Sequence, residues 1–183
     1  MKKTGYGAGI FTIEHFLSAT ECLAYIKAGE EVGYEEATIT TYEGYYELNK
    51  EIRNNDRVIF DDENLAAFLF DRAKPFLPED VEDWKLVGFN ERFRFYRYGP
   101  GQYFKWHKDG CYSRNDKETS ILTFLIYLND DYQGGETSFN WDAVQPKMGM
   151  ALIFPHRLTH QGSPVTSGVK YVLRTDVMYC TRH

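Results

Sequence analysis

The spacing of apolar and polar positions divides the chain into two parts. Over residues 18–32, Cys22, Leu23, Tyr25 and Ile26 recur at helical intervals behind Ser18-Ala19-Thr20-Glu21, which reads as a helix cap, and Gly33 ends the run. Asp61-Asp62-Glu63-Asn64 opens a second amphipathic helix through Leu65, Phe68, Leu69 and Phe76, stopped near Pro78. Acidic residues at its start suit the positive end of the helix dipole. Between the two, residues 36–42 carry the β-branched run Thr38-Ile39-Thr40-Thr41 and predict a strand or an extended arm, whereas residues 49–57 are densely polar and predict a loop. From Leu86 the period falls to two. Strands are predicted at 86–98, 103–109, 119–129, 135–140, 148–156 and 169–179, separated by turns such as Gly99-Pro100-Gly101 and Gly134-Gly135. Two helices followed by antiparallel-looking strands make a mainly β fold with supporting helices, a helix-backed sandwich or jelly roll. With no repeat, low-complexity tract or linker, residues 1–183 read as one domain, with helical support over 1–85 and a jelly-roll core over 86–180.

Composition changes this picture little. Aromatic residues make up 16% of the chain, with 14 Tyr and 13 Phe, which favours strands. A net charge of −6 argues against a broad basic surface for duplex nucleic acid, so a nucleic-acid partner is not expected. Cys22, Cys111 and Cys180 form no CxxC spacing, and neither a disulfide framework nor a structural zinc site is indicated. The first residues lack the apolar run of a signal peptide, and no segment reaches 18 uninterrupted apolar residues. A cytoplasmic protein without a membrane partner is the expectation.

The chemistry gathers around Trp106-His107-Lys108-Asp109-Gly110. On an extended backbone a histidine and an aspartate two positions apart project from one face. They can offer an imidazole nitrogen and a carboxylate oxygen to one metal ion. The pair is weak evidence alone. Downstream, the buried strand 149–154 runs out into Pro155-His156-Arg157-Leu158-Thr159-His160, and His160 stands ten residues before Lys170, about the length of a strand, a turn and a return. In the last strand Lys170, Val172, Arg174 and Asp176 share one face. In strand 119–129 Leu122, Phe124, Ile126 and Leu128 face the helices while Thr123 and Tyr127 face the other way. Arg92, Arg94, Tyr96 and Tyr98 likewise oppose Phe93 and Phe95. Charged groups on an inner face make sense where the barrel holds a polar or anionic ligand. Two histidines and one carboxylate on a β scaffold form the facial arrangement used for non-haem Fe(II), which leaves three sites open. A chelating 2-oxo acid and dioxygen can fill those sites, with Lys170 and Tyr127 holding the acid's remaining carboxylate.

These residues, with Arg97-Tyr98-Gly99-Pro100-Gly101-Gln102-Tyr103, Leu125-Ile126-Tyr127-Leu128-Asn129-Asp130, Gly134-Gly135-Glu136-Thr137 and Gly168-Val169-Lys170-Tyr171, give the sequence its likeness to a known family. It resembles the Fe(II)- and 2-oxoglutarate-dependent dioxygenases, in their prolyl 4-hydroxylase-like branch, over roughly residues 87–179. The resemblance implies a double-stranded β-helix (jelly roll, cupin-like), with His107, Asp109 and His160 as iron ligands and Lys170 on the distal carboxylate of 2-oxoglutarate. It also matches Tyr98 and Tyr127 to tyrosines that contact this co-substrate. Arg174 is either a second cation for the co-substrate or an ion-pair partner of Asp176, and His156 is a rival third ligand. Cys111 and Trp106, beside the metal pair, are expected to pack.

The implied reaction couples decarboxylation of 2-oxoglutarate to succinate with hydroxylation, using O2, with ascorbate as a reductant. A carboxylate at position 109, rather than alanine or glycine, argues for hydroxylation over halogenation. Substrate contacts are expected from Arg53, Asn55, Arg57, Arg94 and Tyr96 and from the polar loop 110–118. The substrate is a protein residue, a free amino acid or another small molecule, since fold-level likeness carries core chemistry better than specificity. Two rival readings are a cupin-type metal enzyme without 2-oxoglutarate and a non-catalytic jelly-roll binding module. The lysine ten residues after the third ligand argues against the first, and the intact triad beside that lysine against the second.

Overall fold

The computed structural model describes residues 1–41 and 43–181, so the last position of the arm expected over 36–42 lies outside the described residues. The chain begins as sheet, not helix. Lys2–Gly7 (β1) and Ile10–Glu14 (β2) form an antiparallel hairpin turned through Gly7, Ala8 and Gly9, all at positive φ, and β2 is buried almost throughout. Helical support alone is therefore too narrow a description of the first 85 residues. A fully buried strand such as Ile10-Phe11-Thr12-Ile13 shows no alternation, which hides it from a period-two search.

Helix α1, Ala19–Val32, starts as its cap residues predict. Ser18 Oγ accepts from the Glu21 N–H, the Glu21 carboxylate accepts from the Ser18 N–H, and Gly33 closes the helix at φ 90°. Helix α2, Glu63–Ala73, is capped by Asp62 and followed by a 3-10 turn at Lys74–Phe76. Leu69 is buried as expected. Phe68 is half exposed, with the Arg72 guanidinium 4.7 Å from its ring, and so does not join the core. Arg72 in turn pairs with Glu21 at 2.8 Å, joining the two helices.

The remaining principal strands are β3 (Asp56–Asp61), β4 (Trp84–Phe89), β5 (Arg92–Tyr98), β6 (Phe104–His107), β7 (Glu118–Tyr127), β8 (Thr137–Phe139), β9 (Ala151–Pro155), β10 (His160–Gly162) and β11 (Lys170–Thr181). The main sheet runs β1-β2-β9-β7-β11-β5-β3 and ends on the short pair-partner Glu35–Glu36. A smaller sheet runs β6-β10-β8 and ends on Ala143–Val144. One strand was expected over 86–98, but there are two. β5 pairs with the first half of β11 and β4 with the second, and Asn90, at the break, donates its N–H to the Asp176 carbonyl. The 110–118 segment is not a free loop either, because Ser113–Asn115 pairs with β7.

Strand parity follows the sequence. Phe93, Phe95, Leu122, Phe124, Ile126, Leu128, Leu173 and Val177 pack with the helices on one face of the main sheet. Tyr96, Tyr98, Tyr127, Leu152, Phe154 and Val172 fill the space on the other face, with Phe139 of the smaller sheet. Each fully buried ring or branched chain stabilises the fold by roughly 1.5–3 kcal/mol. Two facing sheets with helices behind the larger form a jelly roll, and the polar face of the larger sheet opens towards the smaller one. Gly149 fixes the near end. It sits at φ 74°, and a Cβ there would lie 2.1 Å from the Leu17 carbonyl oxygen, so the turn before β9 admits no side chain.

Candidate active site

β6 and β10 are neighbours in the smaller sheet, and their register sets His107 opposite His160. Asp109 leaves the end of β6 with its N–H donated to the His156 carbonyl. One ligand atom from each of His107, Asp109 and His160 lies within 4.8 Å of the others. The two Nε2 atoms each stand 3.7 Å from a different oxygen of Asp109. Their Nδ1 atoms lie 2.7 Å from the Lys105 carbonyl and 2.9 Å from the Leu158 carbonyl. A carbonyl accepts only from an N–H, so both Nε2 atoms keep a free lone pair beside the carboxylate. Burial, with His160 nearby, pushes His107 down to about 3, and burial lowers His160 too. Burial alone would raise the Asp109 carboxyl, but Arg174 foremost, with the imidazoles and Thr123, holds it below the usual carboxylate range. The result is two neutral imidazoles and one charged carboxylate, the donor set that suits a divalent iron.

His107 and Asp109 are braced from behind. The ring of Phe104 stacks on His107 with centroids 3.5 Å apart, and the Arg53 guanidinium lies 4.1 Å from the Phe104 centroid. The two partners would overlap on one face, so Phe104 is sandwiched between them. Thr123 Oγ1 lies 2.5 Å from Asp109 Oδ2 and 2.9 Å from His156 Nδ1, and His156 Nε2 lies 2.9 Å from Ser120 Oγ. His156 is thus buried behind the cluster, two hydrogen bonds from Asp109, rather than standing in it as a rival ligand. Arg174 Nη2 lies 3.2 Å from Asp109 Oδ1 and 3.1 Å from Asp176 Oδ1, and its Nη1 lies 3.3 Å from the Tyr96 hydroxyl. The ion pair with Asp176 is therefore present, but Arg174 also grips Asp109. Parity places Thr123 on the inner face; no pattern along the chain signals that its hydroxyl would join Asp109 to His156.

The cluster lines a cleft of about 420 Å³, counting its open mouth, together with Tyr96, Tyr98, Leu125, Thr137, Val172, Lys170 and Arg174. Lys170 is 3% exposed and donates to the Gly135 carbonyl at 2.5 Å. Among the described residues no carboxylate lies within ion-pair distance of it. Burial, opposed by Glu136, lowers this lysine to about 7. A buried ammonium facing a cavity without a counter-charge is a site for an anion. The rings of Tyr98 and Tyr127 flank its Nζ at 5.1 and 5.5 Å, and the Tyr127 hydroxyl is engaged with Thr137 at 2.6 Å.

The residues expected to meet substrate fall into two groups. Arg53 and Asn55 are buried and hydrogen-bonded to each other, so the segment 49–57 is not a solvated loop over the pocket. Arg57, Arg94 and Tyr96 stand on the cavity-facing side of the sheet edge, with Arg57 bonded to Thr38 and Arg94 3.5 Å from Asp176. Trp106 is 47% exposed and Cys111 is also exposed, so neither packs against the metal pair as expected.

The sequence profile of the 2OG-Fe(II) oxygenase superfamily matches residues 93–175. Through that segment the chain is similar to the 2OG-Fe(II) oxygenase superfamily. The matched segment contains every residue of the cluster as well as Lys170 and Arg174. Over 116 residues the chain is 35% identical to a prolyl 4-hydroxylase candidate of Acanthamoeba polyphaga mimivirus, covering 51% of this chain and 43% of that protein. The alignments span less than half the length of the curated relatives matched. Among solved structures, a viral collagen prolyl hydroxylase from Paramecium bursaria Chlorella virus-1, in complex with 2OG, superposes with a TM-score of 0.68. It shares 25% identity, over 96% of this chain and 98% of that one. A Trichoplax adhaerens prolyl hydroxylase, bound to a hypoxia inducible factor peptide fragment, gives 0.68 at 18% identity, covering 93% and 83%, and supports the same fold. Prolyl hydroxylases are among the proteins that this chain resembles, as its motifs imply. No described helix is long and apolar enough to cross a membrane.

Proposed function

We propose that the chain is an Fe(II)- and 2-oxoglutarate-dependent dioxygenase, a hydroxylase of the prolyl 4-hydroxylase-like type. It would couple decarboxylation of 2-oxoglutarate to succinate with hydroxylation of a protein residue or small molecule. The observation that carries this reading is the placement of His107, Asp109 and His160 within 4.8 Å of one another in a cleft also lined by an anion-seeking Lys170. A cupin-type metal enzyme or a binding module gives that buried ammonium no task.

Ferrous iron at such a site supplies dioxygen activation, driven by oxidation of the 2-oxo acid. The chain's own residues do the rest. His107 and His160 would ligate through Nε2, their rings held by the Lys105 and Leu158 carbonyls. Asp109 would ligate as a carboxylate, oriented by Thr123 and charge-balanced by Arg174. Lys170 would take the distal carboxylate of 2-oxoglutarate, with Tyr98 walling the cavity and Tyr127 packed beside the lysine. Arg174 is already committed to two aspartates, so it acts on the co-substrate through Asp109 rather than as a free second cation. Ascorbate would serve as external reductant. A peptidyl substrate gains support from the collagen and peptide named with the two structural neighbours. The free thiols Cys22, Cys111 and Cys180 suit a reducing compartment such as the cytoplasm.

The test is succinate release from 2-oxoglutarate with and without Fe(II), in wild type and in His107→Ala and Asp109→Ala. Fe(II)-dependent turnover that vanishes in both variants, with unfolding midpoints that show both still folded, is the expected result. Turnover retained in either variant removes that residue from the iron site.

A further inference from the structure

The cavity wall running from Arg174 to the edge of the main sheet carries more positive charge than iron and co-substrate require. Register aligns Arg57 of β3, Tyr96 of β5 and Val172 of β11 in one row, and Ile59, Arg94 and Arg174 in the next. Residues directly opposite on neighbouring strands share a face of the sheet. Arg57 and Arg94 therefore stand on the face from which Tyr96, Val172 and Arg174 line the cleft. Arg53 adds a fourth guanidinium 5.1 Å from the Tyr96 ring, 96% shielded from solvent.

The countercharges are few. Arg174 takes Asp109 and Asp176, and Arg94 reaches only the same Asp176, at 3.5 Å. Arg57 donates to Thr38 and Arg53 to Asn55, and among the described residues no carboxylate lies within 4.0 Å of either. The Arg53 Nη2 atom is buried without any hydrogen-bond partner. Arginines left short of carboxylates near a cavity are costly unless something anionic arrives. The protein as a whole is acidic, with a net charge of −6, so this concentration is local. Tyr96 registers the field. Burial should raise its hydroxyl, yet Arg174, Arg53 and Arg94 bring it down to about 8. The carboxylates of 2-oxoglutarate do not account for the excess, because Lys170 and the metal site receive them on the reading above.

We propose that the substrate presents a carboxylate to Arg57 and Arg94 at the β3–β5 edge, with the carbon to be hydroxylated directed towards the His107, Asp109 and His160 cluster. The proposal deepens the oxygenase reading and rests on it. A guanidinium offers paired N–H donors in the geometry a carboxylate accepts, and it stays charged at any working pH. The carboxylate can belong to a free acid or to an acidic side chain in a peptide, and the two sources separate experimentally.

The experiment measures equilibrium binding by calorimetry to anaerobic protein loaded with Fe(II) and 2-oxoglutarate, using acid and amide partners. The free-acid arm compares L-proline, L-lysine and L-leucine with their C-terminal amides. The peptide arm compares acetyl-Ala-Pro-Glu-amide with acetyl-Ala-Pro-Gln-amide. At least one acid should bind tenfold or more tightly than its amide, and the arm in which it does so names the source. That preference should fall to within about twofold in Arg57→Gln and Arg94→Gln and be partly kept in Arg57→Lys, which retains the charge without the paired donors and serves if the Gln variant proves unstable. Equal binding of acid and amide in every pair, or a preference that survives in either Gln variant, overturns the proposal. Fe(II)-dependent succinate formation without added substrate is measured on the same protein. Its absence would sink the oxygenase reading, whereas the acid-to-amide ratio, read as heat, judges the carboxylate site separately.

Discussion

Lys170→Met should move stability and co-substrate affinity in opposite directions. Methionine keeps most of the stem that packs near Gly135 and removes the ammonium. The lysine is fully buried, and burial, partly opposed by Glu136, brings it from 10.5 to about 7. At 1.36 kcal/mol per pKa unit, holding it charged in the ligand-free cavity costs roughly 5 kcal/mol below pH 7. The substitution also loses the hydrogen bond to the Gly135 carbonyl, on the order of 1.5–3 kcal/mol for a charged donor. The ligand-free variant should therefore be more stable than wild type at pH 6, by about 2–3 kcal/mol, or about 5–10 °C in midpoint. The sign of the pH dependence follows from a folded-state value below the unfolded one. Between pH 7 and 10.5 the unfolded lysine holds a proton that the folded one has lost, so wild-type stability rises relative to the variant across that window. The variant's advantage should be gone by about pH 9. Binding of 2-oxoglutarate should fall at least a hundredfold, because its distal carboxylate would be buried without a partner at about 3–5 kcal/mol. In wild type that affinity should weaken above pH 7, where binding must first reprotonate the amine. Thermal unfolding at pH 6 and pH 9, with anaerobic calorimetry for 2-oxoglutarate, reads all of these. A variant less stable than wild type at pH 6 and unchanged in 2-oxoglutarate affinity would refute the reasoning.

Two further outcomes test the braces behind the proposed metal ligands. Thr123→Val deletes the hydroxyl that holds Asp109 Oδ2 and leaves His156 with one partner fewer, so metal affinity should drop by roughly 10- to 100-fold, while Thr123→Ser restores it. Titration with Mn(II) followed by a competing chelator measures this, and equal affinity in Val and Ser variants would show the hydroxyl to be idle. Arg174→Met should lower stability by about 3–5 kcal/mol, because Asp109 and Asp176 each lose a buried countercharge. Denaturant unfolding reads it, and a loss below 1 kcal/mol would contradict the double ion pair.

Local rules made much of this legible. The cap at Ser18, the stop at Gly33 and the alternation along β5, β7 and β11 each depend on neighbours within a few residues, and each element lies where its pattern puts it. The same alternation placed Lys170, Arg174 and Thr123 on the inner face. The misses share one cause, which is pairing at long range. β2 is buried on both sides, so it carries no alternation. The break at Asn90 exists because β11 has two successive partners. Arg53 and Asn55 look like loop residues until the chain carries them beneath Phe104 and Tyr96, where the polar cluster is enclosed rather than hydrated. His156 fits the ligand pattern as well as His160 by composition. The distance to Lys170 favours His160 in the sequence, and the register of β10 on β6 is what brings it opposite His107.

That register also bears on when the site comes into being. Residues 107 and 160 become neighbours only through one short ladder that must close a loop of more than fifty residues. A growing chain that has emerged only as far as β9 holds one imidazole and one carboxylate, too few donors to retain a redox-active ion. Acquisition of iron is therefore expected as a terminal event of folding, and chelator-resistant metal would serve as an assay for chains that have reached the native topology.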